Sequence, residues 1–290
     1  MPDNKNLIRL APTVGVHLRL DGSLQFGLDA RWAGVVDTLP GDTARRVREI
    51  FSSVTVPLSP DRLTGVLTTA GVDPTAAVTL VDELIGYGML VPVAPENTRI
   101  GVLGEDCIAD EVRELITGYG AEVSGRRPGE RPGGFLRTFS PGAPVVITGA
   151  PDHLHELAEP VLQRGGDVIP VTVIDGRVVL GPIRFSGSGP CSFCAALHRI
   201  DTDPDAPREA PRYANGSWVP PDPVIVRTAA AAAAALALRC AGLTTPSPGP
   251  ERCLPPAGTV LTIDPHRFTT THDSLGVHPH CPACWAAAQR

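Results

Sequence analysis

Lysine is almost missing from this chain: Lys5 is the only one, and the other basic residues are arginine. Aromatic side chains are also scarce, at 4% of 290 residues, so the core has to be built from aliphatic groups. Positive charge is not in excess. The net charge is −6 with acids and bases mixed along the chain, which argues against a general nucleic-acid or anionic-membrane role, since phosphate contacts need the opposite sign. No charged start followed by an apolar run opens the sequence, so no export signal is expected. The longest apolar run, residues 228–238, is mostly alanine and too short to cross a bilayer. These absences predict a cytoplasmic protein with no membrane partner. In that reducing compartment, paired cysteines hold metal more often than they form disulfides.

Glycine and proline are abundant, at 30 and 31 residues, while 42% hydrophobic and 19% charged content is that of a folded chain with one large or two ordinary domains. Up to about residue 96 the pattern is α+β. Two alternating runs, 14–20 and 23–28, flank Asp21-Gly22 and read as a β-hairpin. Helices are expected over 30–39, 43–51, 59–70 and 75–87. Asp73-Pro74 caps and starts the last of these, and Val78, Val81, Leu84 and Ile85 make its apolar stripe. A short strand, 89–93, closes this winged-helix-like domain, 1–96.

The remainder, 97–290, reads as α/β. Strand 99–103, Gly104, a helical stripe from Ile108 to Tyr119 and strand 121–123 make a βαβ opening. Residues 125–134 read as a mobile loop, 144–148 and 167–173 as buried parallel strands, and 152–164 as the helix between them. A long crossover over 201–223, a helix over 228–239, a loop around 245–250 and strands over 259–263 and 267–271 complete the expectation.

The chemistry-bearing motif is a doubled Cys-x-x-Cys. Cys191/Cys194 and Cys281/Cys284 are separated by 86 residues, and each pair follows a chain-bending stretch, Gly187-Ser-Gly-Pro190 and Val277-His-Pro-His280. Two pairs of matching spacing suit a four-thiolate zinc site, which has no open position and so staples rather than catalyses. Two disulfides or free core thiols are the alternatives. His278 and His280 are candidate replacement ligands or supports for the cysteines. His153 and His155, two apart on a helix, do not share a face.

Taken in order, the strand–glycine–helix–strand opening, Gly181-Pro182, the first Cys-x-x-Cys, the crossover, the closing strands and the second Cys-x-x-Cys resemble the ubiquitin-activating-type fold of the ThiF/MoeB superfamily. The N-terminal segment, with Asp21-Gly-Ser-Leu-Gln-Phe-Gly27 and Leu84-Ile-Gly-Tyr-Gly-Met-Leu90, resembles the peptide-clamp winged helix that recognises leader peptides. Together they resemble the leader-binding partners of YcaO cyclodehydratases in bacteriocin-type azoline pathways. The resemblance implies structural zinc on Cys191, Cys194, Cys281 and Cys284, a precursor or leader peptide as ligand, a YcaO-type enzyme as partner, and pairing of the ThiF-like domain into a homodimer. It also implies strand addition of the peptide at Leu24, Gln25, Phe26, Gly27 and Leu28, against Val81 and Leu84 of the last N-terminal helix.

An active ThiF-like enzyme would adenylate a carboxyl terminus. Three departures argue against ATP binding here. The glycine-rich turn reads Gly104-Glu-Asp106-Cys-Ile-Ala109, placing carboxylates where phosphate would come. No acidic residue follows Val123 to hold a ribose, and the Asn-Leu-x-Arg-Gln stretch of the active enzymes is missing. The expectation is therefore a non-catalytic peptide-presenting protein, with an ATP-dependent adenylyltransferase and a DNA-binding regulator as alternatives. The DNA reading rests on Arg45, Arg46 and Arg48 and is opposed by Asp61, Asp73, Asp82 and Glu83. Cys107 at a helix start, Cys240 and Cys253 are candidate thioester nucleophiles, and none has an evident base.

Overall fold

A computed structural model of the chain describes residues 7–29, 31–53, 56–93, 98–149, 151–205, 222–244, 247 and 254–289. They divide into two compact units, one from Met1–Glu96 with Thr244–Cys253, the other from Asn97–Leu243 with Leu254–Arg290. Cys253, Lys5, most of the 245–250 loop and residues 206–221 of the expected crossover lie outside the described residues.

In the first unit, β1 (Ile8–Leu10) pairs antiparallel with β5 (Leu90–Pro92). A separate antiparallel sheet runs β2 (Val16–Leu18), β3 (Leu24–Phe26), β4 (Gly34–Val36), with β3 in the middle. The hairpin expected around Asp21-Gly22 is the β2–β3 connection. Asp21 Oδ1 accepts from the Ser23 amide at 3.0 Å, and Gly22 takes φ +85°. The helix expected over 30–39 is not formed; β4 lies within that stretch. Gly27 at φ +90° and the Asp29 carboxylate, which accepts from the Arg31 amide, turn the chain. The β-branched pair Val35-Val36 then extends it.

Helices α1 (Gly41–Ser53), α2 (Pro60–Thr69) and α3 (Pro74–Tyr87) complete this unit. Asp73 caps α3 by accepting from Thr75 and Ala76 amides at 2.9 and 3.1 Å, and Gly88 ends it at φ +82°. Leu24, Phe26, Phe51, Leu67, Val81, Leu84 and Met89 form the core, with the Phe26 and Phe51 rings edge to face at 5.2 Å.

The second unit is a seven-stranded sheet with helices on both faces. Its parallel half contains β6 (Arg99–Leu103), β7 (Glu122–Ser124), β8 (Val145–Thr148) and β9 (Val168–Ile174). The antiparallel half contains β10 (Arg177–Leu180), β11 (Thr259–Asp264) and β12 (Thr269–Ser274), and the full order is β12-β11-β10-β9-β8-β6-β7. Strand residues alternate between faces. Ile100, Val102, Val146 and Ile169 pack under α4 (Cys107–Gly118) and α9 (Pro223–Cys240), while Leu103, Val145, Ile147 and Val168 pack against α5 (Pro132–Thr138), α6 (Pro151–Glu156) and α7 (Ala158–Gln163). Alanines 229, 230, 233, 234 and 237 of α9 are buried, which lets this helix lie close on the sheet and α4. It is the one helix, among the described residues, long and apolar enough to cross a membrane.

Several expectations for this unit need correction. Residues 125–134 are not all loop, because α5 starts at Pro132; burial of Phe135 and Leu136 outweighs the low helix propensity of its two glycines. The helix expected over 152–164 is two, α6 and α7. Pro160 has no N–H to give the Glu156 carbonyl, so one continuous helix would lose that bond. Helix α9 starts at Pro223, not 228, with Asp222 as its cap. Strand β12 begins and ends later than 267–271, since Arg267 still belongs to a turn closed on Asp264. Strand β10, α8 (Ser192–Thr202) and α10 (Pro282–Ala288) were not foreseen.

Candidate functional site

The two Cys-x-x-Cys motifs are built alike. Cys191 is the residue that opens α8 and Cys281 the one that opens α10, so Cys194 and Cys284 fall in the first helical turn, three residues on and on the same face. Pro190 and Pro282 lie beside these starts. The four sulfurs converge: Cys191–Cys194 and Cys191–Cys281 are 3.7 Å apart, Cys191–Cys284 3.6 Å and Cys194–Cys284 3.4 Å. A tetrahedron with metal–sulfur bonds of about 2.3 Å has edges of about 3.8 Å, whereas a disulfide needs about 2.05 Å. The spacing therefore fits a shared metal ion and not two disulfides, and all four thiols are free. The hydrogen bond with Cys191 lowers the Cys194 pKa to about 4, while burial pushes Cys284 up to about 11.

Supports surround the cluster. His278 is buried. Its Nδ1 accepts from the His280 amide at 3.1 Å, which leaves Nε2–H to donate to Asp201 Oδ2 at 2.8 Å. That bond, first among the causes, holds the Asp201 carboxyl below its ordinary value. The His278 backbone amide faces Cys194 and favours its thiolate. His278 thus ties the α8 end to the second cysteine pair without itself replacing a sulfur. Its contact with Asp201 and the edge-on approach of His198, ring centroids 4.7 Å apart, were not legible from spacing. His153 has no described side chain, and His155 lies edge-on to Phe193 at 6.1 Å.

The second region of interest is the crevice at the carboxyl ends of β6 and β8. The chain leaves β6 toward β7 on one side and returns to β8 on the other, so this is the topological switch point where doubly wound sheets hold ligands. Here the seat is taken by the chain's own carboxylate. Asp106 caps α4, accepting from the Ala109 amide at 2.9 Å, and both its oxygens accept from the buried Thr148 hydroxyl at 3.0 and 2.9 Å. Gly104, at φ +156°, is forced to be glycine because a Cβ there would lie 2.0 Å from Thr148 Oγ1. Glu105 pairs with Arg126, and Arg113 donates to the Gly104 carbonyl at 2.5 Å. Cys107, exposed beside Asp106, has its thiol pKa raised by partial desolvation and by that carboxylate, opposite to what a nucleophile needs. Burial pushes Cys240 up to about 12.

The expected peptide-binding residues are placed differently from the expectation. Strand β3 is paired on both edges, by β2 and β4, so Leu24–Phe26 has no free edge to which a peptide strand could add. Leu24, Phe26, Val81 and Leu84 are core, Gln25 and Gly27 are half-buried, and Leu28 is exposed. Helix α1 packs along β2, whereas no strand among the described residues pairs with the outer edge of β4. Exposed Leu28, Trp32 and Val35 lie on or beside that edge.

What the sheet order and helix layers define is a mixed α/β fold preceded by a small α+β unit, a fold shared with solved heterocyclase and MccB structures. The particular solved structures it resembles include heterocyclases and a microcin C7 biosynthetic enzyme, MccB. A heterocyclase in complex with substrate and cofactor superposes with a TM-score of 0.60 at 14% identity, over 96% of this chain and 39% of that one. The heterocyclase TruD gives 0.56 at 15%, over 96% and 42%. MccB from E. coli, bound to MccA, gives 0.54 at 14%, over 96% of this chain and 99% of that one. This chain therefore spans about two fifths of either heterocyclase and nearly all of MccB. No protein-family model and no curated protein matches it.

Proposed function

We propose that this chain is a zinc-stapled binding protein that captures a precursor's leader peptide and presents it to a partner modifying enzyme of the YcaO type, in azole or azoline peptide biosynthesis, without catalysing a step itself. The observation that carries the reading is the edge of β4 that no strand among the described residues covers, flanked by exposed Trp32, Val35 and Leu28. An extended peptide adds there as a fourth strand, its backbone supplying the hydrogen bonds and alternate side chains meeting the apolar flank. Gly34 lies with Met89 Cε 3.7 Å from where a Cβ would stand, so the edge sits close to the end of α3. Val81 and Leu84 shape this surface from the core side rather than touch the peptide.

Two further facts support the reading. MccB has been crystallised with the peptide MccA, and a heterocyclase with its substrate, on folds that superpose over 96% of this chain. The switch-point crevice, where an adenylating enzyme would seat phosphates, holds Asp106 and Thr148 instead. A nucleotide phosphate brought against that carboxylate meets repulsion of at least about 1 kcal/mol even at water's dielectric. Zinc is the metal that four thiolates at this spacing favour, and its role is to hold α8 and α10 together.

The test is direct binding of the full chain to precursor peptides encoded beside it, read by fluorescence polarisation. The reading expects binding that Val35→Pro abolishes and no ATP–pyrophosphate exchange with the peptide present. Failure to bind any of those peptides, or ATP-dependent exchange, would count decisively against it.

A further inference from the structure

Arg184 lies two residues past the end of the β10 turn at Gly181-Pro182 and is only 3% exposed. Its guanidinium donates to the carbonyls of Gly187 and Gly189, which belong to the bend leading into Pro190 and Cys191. Nε has no hydrogen-bond partner, and among the described residues no carboxylate pairs with the group. Carbonyl oxygens satisfy donors but leave the charge unbalanced, and a buried charge without an opposite one is strongly disfavoured. Arg164 is the useful contrast. It too is buried, with carbonyls of Phe139 and Ser140 as acceptors, but the Phe139 ring lies 5.2 Å from it and the Asp167 carboxylate favours its charge.

Among the described residues the Asp167 carboxylate is engaged by the Ser186 amide, and the other negative charge that this loop meets is the cysteine cluster it feeds. Burial lowers the guanidinium's pKa, and the Cys284, Cys191 and Cys194 sulfurs act in the opposite sense. A divalent ion held by four thiolates keeps two net negative charges. We propose that Arg184 is the built-in counter-charge of the tetrathiolate metal centre, fixing the bend before Cys191 and offsetting part of the centre's negative charge, so that metal affinity depends on its positive charge. This rests on Cys191, Cys194, Cys281 and Cys284 sharing a metal, but not on the peptide-binding reading, which a separate assay tests.

The experiment measures Zn²⁺ affinity of the full chain by competition with a chromophoric chelator, for the parent, Arg184→Gln, Arg184→Lys and Arg164→Gln. Arg184→Gln keeps donors for the carbonyls but drops the charge, and is expected to weaken zinc binding about 10- to 100-fold, the range seen when outer partners of metal ligands are removed. Arg184→Lys keeps the charge without the planar fork and is expected to stay within about threefold of the parent. Arg164→Gln is expected to lower the melting temperature while leaving zinc affinity unchanged. Equal losses in Arg184→Gln and Arg184→Lys would mean a mere clamp on the bend and overturn the proposal, as would an unchanged affinity in Arg184→Gln or an equal loss in Arg164→Gln. If Arg184→Gln fails to fold, Arg184→Lys decides: a loss well beyond threefold refutes the charge role, and retention supports it.

Discussion

Replacing Asp106 with alanine removes two supports at one stroke. The α4 amide of Ala109 loses its capping oxygen, a change worth about 1 kcal/mol. The Thr148 hydroxyl, fully buried, loses its acceptor, and an unsatisfied buried donor costs about 1–3 kcal/mol. The sum is about 2–4 kcal/mol, which at 2–4 °C per kcal/mol for a unit of this size means a fall of about 4–16 °C in melting temperature. Thermal and urea denaturation of the purified chain measure it. The second variant is Asp106→Ala/Thr148→Val, in which the stranded hydroxyl is gone, and it should recover at least about 1 kcal/mol of the loss. Failure of the double variant to recover stability, or a single variant melting within a degree or two of the parent, would refute the account of a carboxylate seated in the crevice. The parent's melting temperature should not move on adding ATP.

Cys191→Ser should leave the chain unable to hold stoichiometric zinc and should make it melt like parent protein stripped by chelator; full metal content with an unchanged melting curve would sink the staple. Since the Cys107 thiol, though exposed, is raised above its ordinary pKa by partial desolvation and Asp106, its alkylation by iodoacetamide at pH 8 should be slower than that of a free cysteine and rise with pH. Rapid labelling at neutral pH, read by mass spectrometry, would contradict this. Asp201→Asn removes the charged acceptor of His278 Nε2–H, so its zinc dissociation should be faster than the parent's, whereas identical rates would deny His278 a positioning role. Because His278 holds Asp201 below its usual value, this contribution is present at neutral pH and fades as acid protonates the carboxylate, so the two proteins' zinc off-rates should converge toward low pH.

The four cysteines were legible because metal spacing is written locally, in residues three apart, and only their convergence needed tertiary information. The βαβ opening was equally plain from the aliphatic run 99–103 and the stripe Ile108, Val112, Ile116. Strand β4 was not, since Trp32, Val35 and Val36 carry neither a clean helical nor a clean alternating pattern and are held extended by pairing with β3. That pairing also removes the free edge expected at β3: a hairpin predicts two strands and leaves an edge that a third strand then covers. The carboxylate of Asp106 in the turn after Gly104 was plain in the sequence. The partner that completes it, Thr148, is 42 residues away and carries no motif. Arg184 was invisible for the same reason, as a single arginine among aliphatic neighbours gives no sign of being buried.

The distance between the two cysteine pairs has a consequence for how the chain is made. At ribosomal rates of about 5–20 residues per second, the 86 residues between Cys194 and Cys281 take about 4–17 s to emerge. Throughout that interval the first pair is a bare dithiol, able to be oxidised or to take metal with the wrong partners. Helix α10 fully buries none of its residues 282–288 and meets α7, while Cys281 and Cys284 tie it to α8. On the proposed zinc staple, depletion of zinc or oxidative stress in those seconds is expected to lower the yield of folded protein.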